Sequence, residues 1–221
     1  MFIDKEEKTV KVILINGSPN ERSCTYTALS EAAKTLNEAG IGTEFFWIGK
    51  ESMQGCIACG GCGRKGKCVF NDKVNEFIEL AHVADGFIYG SPVYFSGMNG
   101  SLMSFMDRAF FAGPRHPNGN PLAFKPAAAV VSARRAGTTS AIDQINKYFL
   151  HGQLPIISSR YWNMVHGNTP EEVMQDAEGL QIMRQLGRNM AWFLRLKEAG
   201  KAAGIPLPKQ EETRIATNFI R

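Results

Sequence analysis

The sequence predicts an α/β fold in which a doubly wound, five-stranded parallel sheet carries helices on both faces. Short apolar runs alternate with longer segments whose apolar residues recur at helical spacing. Each short run is followed by glycine, proline or serine, which is typical of a strand that ends in a turn. Of the 221 residues, 44% are hydrophobic and 21% are charged, so the composition is that of a globular protein with one core.

Strands and helices follow one another along the whole predicted domain. The strands are predicted from runs rich in β-branched, aromatic or small residues, the fifth with two alternative positions: 11–16, 43–48, 86–90, 127–132, and either 154–157 or 160–162. The helices are predicted from apolar residues that repeat every three to four positions: 25–39, 72–82, 99–111, 138–150 and 170–197. Cysteine-rich residues 55–70 and residues 113–121 are predicted loops.

Length and charge limit the domain organisation and the partners. Residues 1–198 are predicted to form one domain, and residues 199–221 an extended C-terminal tail. The net charge of +4 is scattered, whereas a nucleic-acid-binding protein needs a clustered basic face. No apolar run approaches the roughly 20 residues that cross a bilayer, and the charged N-terminus has no secretory pattern. We therefore expect a cytoplasmic protein without nucleic-acid or membrane partners.

The polar segment after the first predicted strand is suited to binding phosphate. Small and hydroxyl-bearing residues open the first helix, where unpaired backbone N–H groups and the helix dipole attract an anion. The alternative is a plain helix cap, which needs one of these hydroxyls. Cys24 in this segment has two interpretations. Either the start of the helix lowers the pKa of its thiol, or it is a small buried side chain that packs in the core. The residues concerned are Ser18, Pro19, Asn20, Ser23, Cys24 and Thr25.

Two common nucleotide motifs do not explain this loop. The GxxxxGK[ST] pattern of P-loop proteins does not occur in the sequence. One GxGxxG pattern spans 61–66, but it neither follows a predicted strand nor opens a predicted helix. We therefore do not interpret it as a dinucleotide-binding motif.

Four of the five cysteines lie within thirteen residues, which indicates metal binding or redox chemistry in a reducing compartment. The spacing CxxCxxCx5C allows one short loop to place thiolates around a [4Fe–4S] cluster. Zinc more often uses two CxxC pairs that are a dozen or more residues apart, and free thiols or a relic motif are further alternatives. The predicted ligands are Cys56, Cys59, Cys62 and Cys68.

Residues 10–165 resemble the NAD(P)H-dependent FMN reductase family of flavodoxin-like proteins. The resemblance is carried by 17–19 (Gly-Ser-Pro) with Ser23 and Thr25, by 91–95 (Ser-Pro-Val-Tyr-Phe), and by the helix end 105–108 (Phe-Met-Asp-Arg). It implies the flavodoxin-like strand order 2-1-3-4-5 and an FMN cofactor. In that family the first loop holds the FMN phosphate, which here falls to Ser18, Asn20, Ser23 and Thr25.

Two later loops would then enclose the isoalloxazine ring of the flavin. The resemblance implies that the ring is lined by Pro92, Val93, Tyr94 and Phe95. The loop of Ser132, Arg134, Arg135, Ala136 and Gly137 would close over the other edge of the ring. An arginine near N1 and O2 stabilises the negative charge of reduced flavin, and aromatic or proline walls exclude water from N5. The alternatives are that Tyr94 and Phe95 are ordinary core aromatics and that Arg134 and Arg135 are merely solvated.

The resemblance implies an FMN-dependent oxidoreductase that takes a hydride from NAD(P)H and passes electrons to a small molecule or a ferredoxin-like protein. The flavin carries the chemistry, so no catalytic acid, base or nucleophile is expected. The cysteine spacing also resembles that of iron–sulfur flavoproteins, so a non-enzymatic carrier with FMN and a cluster is one alternative. A flavin-free cysteine module is another.

Two features of the helix 99–111 bear on assembly. Its stripe of methionine and phenylalanine residues is interpreted as core or as a dimer interface. Asp107 and Arg108 are expected to form an ion pair or a subunit contact. Family habit and the stripe together predict a homodimer or homotetramer.

Overall fold

The computed structural model places one parallel sheet between two layers of helices; it describes residues 10–209, Glu212, Thr213, Ile215 and Thr217. The strands are β1 Lys11–Asn16, β2 Gly42–Trp47, β3 Gly86–Tyr94, β4 Gly97–Met98, β5 Ala127–Ala133 and β6 Met164–His166. The helices are α1 Cys24–Glu38, α2 Gly61–Lys65, α3 Lys73–Val83, α4 Gly100–Ala112, α5 Thr138–His151, α6 Pro170–Val173 and α7 Ala177–Ala202, with a 3₁₀ turn at Gly113–Arg115. The predicted domain start at 1–9 and most of the predicted tail beyond 209 lie outside the described residues.

Five of the described strands run parallel in the order β2-β1-β3-β5-β6, which confirms the predicted doubly wound, flavodoxin-like sheet. In the central register Leu14 lies between Phe45 of β2 and Ile88 of β3. The strand order reverses between β1 and β3, so the crevice beyond their carboxyl ends is the expected ligand site. The short β4 adds an antiparallel hairpin to the end of β3.

Alternate residues of the strands build a separate core on each face of the sheet. Ile13 and Ile15 belong to the core formed with α3, α4 and α5, whereas Val12 and Leu14 belong to the core formed with α1 and α7. This alternation follows from the two-residue period of a strand, and it confirms the prediction of helices on both faces.

The predicted position of the last strand is wrong. The structure places β6 at Met164–His166, whereas the sequence predicted 154–157 or 160–162. The first of those segments does approach the same neighbour, because Ile156 forms an isolated bridge with Ala127. The chain then leaves the sheet edge and returns eight residues later at Met164, without a long apolar run that would predict a strand there.

Three other element predictions need correction. The strand predicted at 86–90 continues to Tyr94, and the helix predicted at 170–197 is divided into α6 and α7, each with its own capping side chain at Thr169 and Asp176. The cysteine-rich loop contains the five-residue helix α2, so the GxGxxG segment does form helix, although it follows no strand. A five-residue helix of this kind is too short for periodicity to reveal.

Most of the Met and Phe stripe on α4 is core. Leu102, Phe105 and Met106 are fully buried and Phe110 nearly so, whereas Met103 and Phe111 are exposed. The oligomeric state therefore stays a prediction. None of the helices that the structure describes, including the 26-residue α7, has both the length and the apolar character needed to span a membrane.

Candidate functional site

The carboxyl ends of β1, β3, β5 and β6 open onto a cleft of about 630 Å³, part of it open to solvent. Ten of the fifteen predicted cofactor-binding residues line it: Ser18, Asn20, Ser23, Cys24, Thr25, Pro92, Val93, Tyr94, Ser132 and Arg134. The other five lie in the same three loops but do not line the cleft: Pro19, Phe95, Arg135, Ala136 and Gly137. The topology therefore brings all three predicted loops to one place.

The loop between β1 and α1 is held tightly against the sheet. The backbone N–H of Gly17 donates to the carbonyl of Gly90 in β3 at 2.9 Å, and the N–H of Ser18 donates to Asn16 Oδ1 at 3.1 Å. Trp47 Nε1 donates to the carbonyl of Ser18 at 2.8 Å. These bonds orient the start of α1, where the first amides have no acceptor within the helix and the dipole end is positive.

Three hydroxyls surround this helix start. Ser23 Oγ caps α1 by accepting from the N–H of Tyr26 at 3.3 Å. That cap does not account for the buried Thr25, whose Oγ1 lies 2.8 Å from Ser132 Oγ across the cleft. Buried Ser18 accepts from the N–H of Asn20 at 3.2 Å. Hydroxyls and free amides at a helix N-terminus fit a phosphate group.

The β3–β4 hairpin forms one side of the cleft. Tyr94 lines the cleft with about half of its surface exposed, and Phe95 at the tip is fully exposed. The interpretation of these two residues as core aromatics is therefore wrong. Phe95 and Ser96 have φ values of 49° and 60°, as in a type I′ turn, which normally takes glycine or asparagine. Such unfavourable backbone conformations concentrate at ligand sites.

The arginine loop after β5 faces the hairpin. Arg134 lines the cleft, whereas the backbone carbonyl of Arg135 lies 3.1 Å from His166 Nε2, outside the lining. Gly137 has a φ of 93°, and a Cβ there would lie 2.6 Å from the Cα of Ser96. The loop therefore packs directly against the hairpin and places Arg134 in the lining of the cleft.

Cys24 is a half-buried residue of the cleft. Burial raises the pKa of its thiol, with a smaller contribution from the carboxylates of Glu172 and Glu171. Its Sγ lies 3.8 Å from the carbonyl of Gly167. The alternative of a thiol whose pKa is lowered is wrong, because burial outweighs the favourable backbone contact at the helix start.

Three residues that line the cleft were missed by the sequence analysis: Ala133, Gly167 and Asn168. The last two follow β6 directly, so the misplaced strand hid them. The only signal is weak, since no more than the apolar pair Met164 and Val165 precedes the glycine and the asparagine.

The four clustered cysteines line a second cavity of about 350 Å³, part of it open to solvent, beside the C-terminal half of α4. Cys62 is buried, Cys68 is half-buried, and Cys56 and Cys59 are exposed. All five cysteines are free thiols. Among the described residues, no group of three or more His, Cys, Asp or Glu side chains is close enough to hold a single metal ion. The four predicted ligands nevertheless line one cavity.

Donors approach two of the four sulfur atoms. The N–H of Gly61 donates to Cys59 Sγ at 3.5 Å, and Arg108 Nε donates to Cys68 Sγ at 3.3 Å. A Cβ at Gly61 would lie 2.3 Å from Val69, so the loop closes tightly behind the cavity. Four thiols with N–H···S donors and an apolar wall are the chemistry that an iron–sulfur cluster requires, and the residues present fit such a group.

Arg108 forms a different ion pair from the one predicted. Its guanidinium is buried and binds both carboxylate oxygens of Asp72 at 2.7 Å, while Asp107 accepts from Tyr148 Oη at 2.5 Å. Burial by itself lowers the pKa of Arg108, but the hydrogen bonds to Asp72 and Cys68 outweigh it and raise that pKa above its ordinary value. Asp72 also caps α3.

Comparison with known proteins agrees with this arrangement. Residues 10–169 match the sequence profile of the NADPH-dependent FMN reductases. The chain is 33% identical over 192 residues to an iron–sulfur flavoprotein of Methanocaldococcus jannaschii, covering 85% of this chain and 98% of that one. It is 29% identical over 205 residues to an iron–sulfur flavoprotein of Archaeoglobus fulgidus, with the same coverage.

Two solved structures illustrate the shared fold. RosB with a bound formylated riboflavin phosphate intermediate has a TM-score of 0.67 at 14% identity, covering 95% of this chain and 92% of that one. An archaeal flavodoxin has a TM-score of 0.57 at 13% identity, covering 84% and 99%. The fold and the cleft therefore define a flavodoxin-like protein. The chain belongs to the NADPH-dependent FMN reductase family, within the subgroup that resembles the iron–sulfur flavoproteins, and it is an FMN-dependent oxidoreductase.

Proposed function

We propose that this protein accepts a hydride from NAD(P)H at FMN in the cleft and passes the electrons singly, through a [4Fe–4S] cluster in the cysteine cavity, to a protein acceptor. The observation that carries the proposal is the presence of two separate sites in one chain, the cleft at the sheet edge and the cavity lined by all four clustered cysteines. The names of the relatives support the second cofactor.

The cleft residues bind and orient FMN in this proposal. The hydroxyls of Ser18 and Thr25 and the amides at the start of α1 hold the phosphate. The hairpin wall at Tyr94 excludes water from one side of the ring, and the Arg134 guanidinium offsets negative charge on the other. FMN itself supplies a hydride acceptor at N5 and releases electrons one or two at a time.

The two sites lie at opposite ends of α4. Asn99 caps the helix at the hairpin and donates its backbone N–H to Ser91 Oγ, whereas Arg108 reaches the cysteine cavity. Nine residues at 1.5 Å per residue separate the two by about 14 Å along the helix axis. One helix therefore connects the hairpin beside the cleft with the cysteine cavity.

Stopped-flow mixing under nitrogen tests the hydride step. We expect NADPH, NADH or both to bleach the flavin absorbance of the purified protein. The cleft is partly open to solvent, so a nicotinamide can reach a flavin ring bound there. Chemical reduction by dithionite is the control that the flavin is reducible. A flavin that dithionite bleaches but neither nucleotide does would establish the alternative, a carrier of FMN and a cluster that does not use NAD(P)H.

The surface around the cysteine cavity suits an acidic protein acceptor. Ile57, Val69 and Phe111 line the cavity, and between 42% and 55% of each is exposed. Residues 55–71 and 109–121 supply four basic side chains and no acidic one: Arg64, Lys65, Lys67 and Arg115. The two segments are in contact, since a Cβ at Gly66 would lie 2.5 Å from Pro117. An apolar centre with a charged rim is typical of a transient interface.

Charge reversal at this rim is expected to slow electron transfer to an acidic ferredoxin. The double variant Lys65→Glu/Lys67→Glu should lower the second-order rate constant by about tenfold at low ionic strength, with a smaller difference in high salt. The matched control is the double variant Lys34→Glu/Lys201→Glu, which changes the net charge by the same amount. Lys34 lies in α1 and Lys201 in α7, the helices on the opposite face of the sheet. Equal rate constants for the two double variants would contradict docking at the cavity.

A further inference from the structure

Arg108 is an unusual residue because only 2% of its surface is exposed although it carries a full charge. A buried guanidinium is costly unless acceptors surround it. Asp72 satisfies two of its N–H groups, and the carbonyl of Gln54 accepts another at 3.2 Å. The ring of Phe70 lies 4.8 Å from its central carbon.

These contacts tie together both ends of the cysteine loop. Gln54 precedes the first cysteine of the cluster, whereas Phe70 and Asp72 follow the last. The N–H on Nε donates to Cys68 Sγ at 3.3 Å, and Nη1 also lies 3.4 Å from Met53 Sδ. The Asp72 and Gln54 contacts already join the two ends of the loop, so the Nε contact calls for a separate explanation.

The residues of the cavity wall offer an explanation for the contact between Arg108 Nε and Cys68. Of the residues that line the cavity, all of which belong to the described part of the chain, Arg108 is the one with a charged side chain. Hydrogen bonds and charges next to the ligating sulfurs set the reduction potential of an iron–sulfur cluster. Addition of an electron to a cluster with four thiolates increases its negative charge, and a fixed cation with an N–H···S bond favours that state.

We propose that Arg108, held in place by Asp72, is a positioning residue that raises the reduction potential of the cluster by donating to Cys68, so that reduced FMN can deliver an electron to it. The inference rests on the proposed function, because it requires a cluster in the cysteine cavity. One electron passes from reduced flavin to the cluster, and no bond is made or broken. Asp72 acts in the opposite direction, since its carboxylate partly cancels the guanidinium charge.

Two substitutions with opposite expected signs test this assignment. Arg108→Gln removes the cation and the Nε donor, so the reduction potential should become more negative. Asp72→Asn keeps a side-chain oxygen for the N–H of Val74 and for the guanidinium but removes the negative charge, so the potential should become more positive. General damage to the loop would shift the reduction potential of both variants in the same direction.

The measurement is an anaerobic redox titration of the holoprotein, followed by electron paramagnetic resonance, with iron and sulfide assayed on each sample. Lys73→Gln is the matched control, because it removes an exposed cation next to Asp72, and its potential should equal that of the wild type. If Arg108→Gln retains no iron, Arg108→Lys replaces it, with a smaller negative shift expected because the charge is kept.

The possible results distinguish a failure of the Arg108 assignment from a failure of the proposed function. Opposite shifts in the arginine and aspartate variants, with an unchanged control, support the role of Arg108. Shifts of the same sign, or unchanged potentials in protein that contains iron, overturn it and leave the proposed cluster intact. Wild-type protein without iron overturns the cluster and this inference together.

Discussion

Replacement of Cys62 by alanine is expected to remove nearly all iron from the protein while leaving its FMN in place. Cys62 is the buried member of the four cysteines and lies in α2, at the centre of the motif. Loss of one thiolate opens a corner of the cluster, which then exchanges with solvent. The flavin should be spared, because none of the four clustered cysteines lines the cleft.

The matched control for this change is Cys24→Ala. Cys24 is the fifth cysteine, half-buried in the flavin cleft and remote in sequence from the other four. Iron, sulfide and FMN per chain are measured in both variants and in the wild type. We expect about four irons per chain in the wild type and in the control, and fewer than about one in the Cys62 variant. Full iron content in the Cys62 variant would contradict a four-thiolate cluster.

Introduction of a methyl group at Gly17 is expected to weaken FMN binding and to destabilise the fold. A Cβ at this position would lie 2.7 Å from the carbonyl oxygen of Gly90 and 2.9 Å from Leu102 Cδ2. The loop must therefore move away from β3, which costs about 1–3 kcal/mol of unfolding free energy. The moved amides and hydroxyls lose hydrogen bonds to a charged phosphate, each worth about 1.5–3 kcal/mol, so FMN affinity should fall at least tenfold.

The control for Gly17→Ala is Gly100→Ala at the first residue of α4. A Cβ there would have no neighbour within 4 Å, and alanine favours a helix. Flavin content after gel filtration and urea unfolding are compared in the two variants. Wild-type flavin retention in Gly17→Ala, or equal losses in both variants, would contradict the assignment of this loop as the phosphate site.

The meeting of the three predicted loops at one cleft was predictable because the fold places them together. Continuous apolar runs such as Ala127–Ala133 identify buried parallel strands, and parallel strands bring the loops after their carboxyl ends to one edge. Gly167 and Asn168 were not predictable from the same rule, because the three-residue strand before them is too short to show a period. The unusual turn at Phe95 and Ser96 carries no glycine to signal it.

The sequence predicted which cysteines group together but not the residues that surround them. The spacing of the four cysteines identifies them as a group. Arg108 lies 40 residues beyond Cys68 and 36 beyond Asp72, so no local pattern connects the three. Its neighbour Asp107 suggested an ion pair along the helix, whereas burial against the cysteine loop selects Asp72 instead.

Assay of iron, acid-labile sulfide and released flavin in the wild-type protein, purified under nitrogen, tests the central claim most directly. The arrangement of two sites predicts about one FMN together with about four irons and four sulfides per chain. Flavin without iron would contradict the assignment of the cysteine cavity. Protein that carries neither flavin nor iron would contradict the cleft as well.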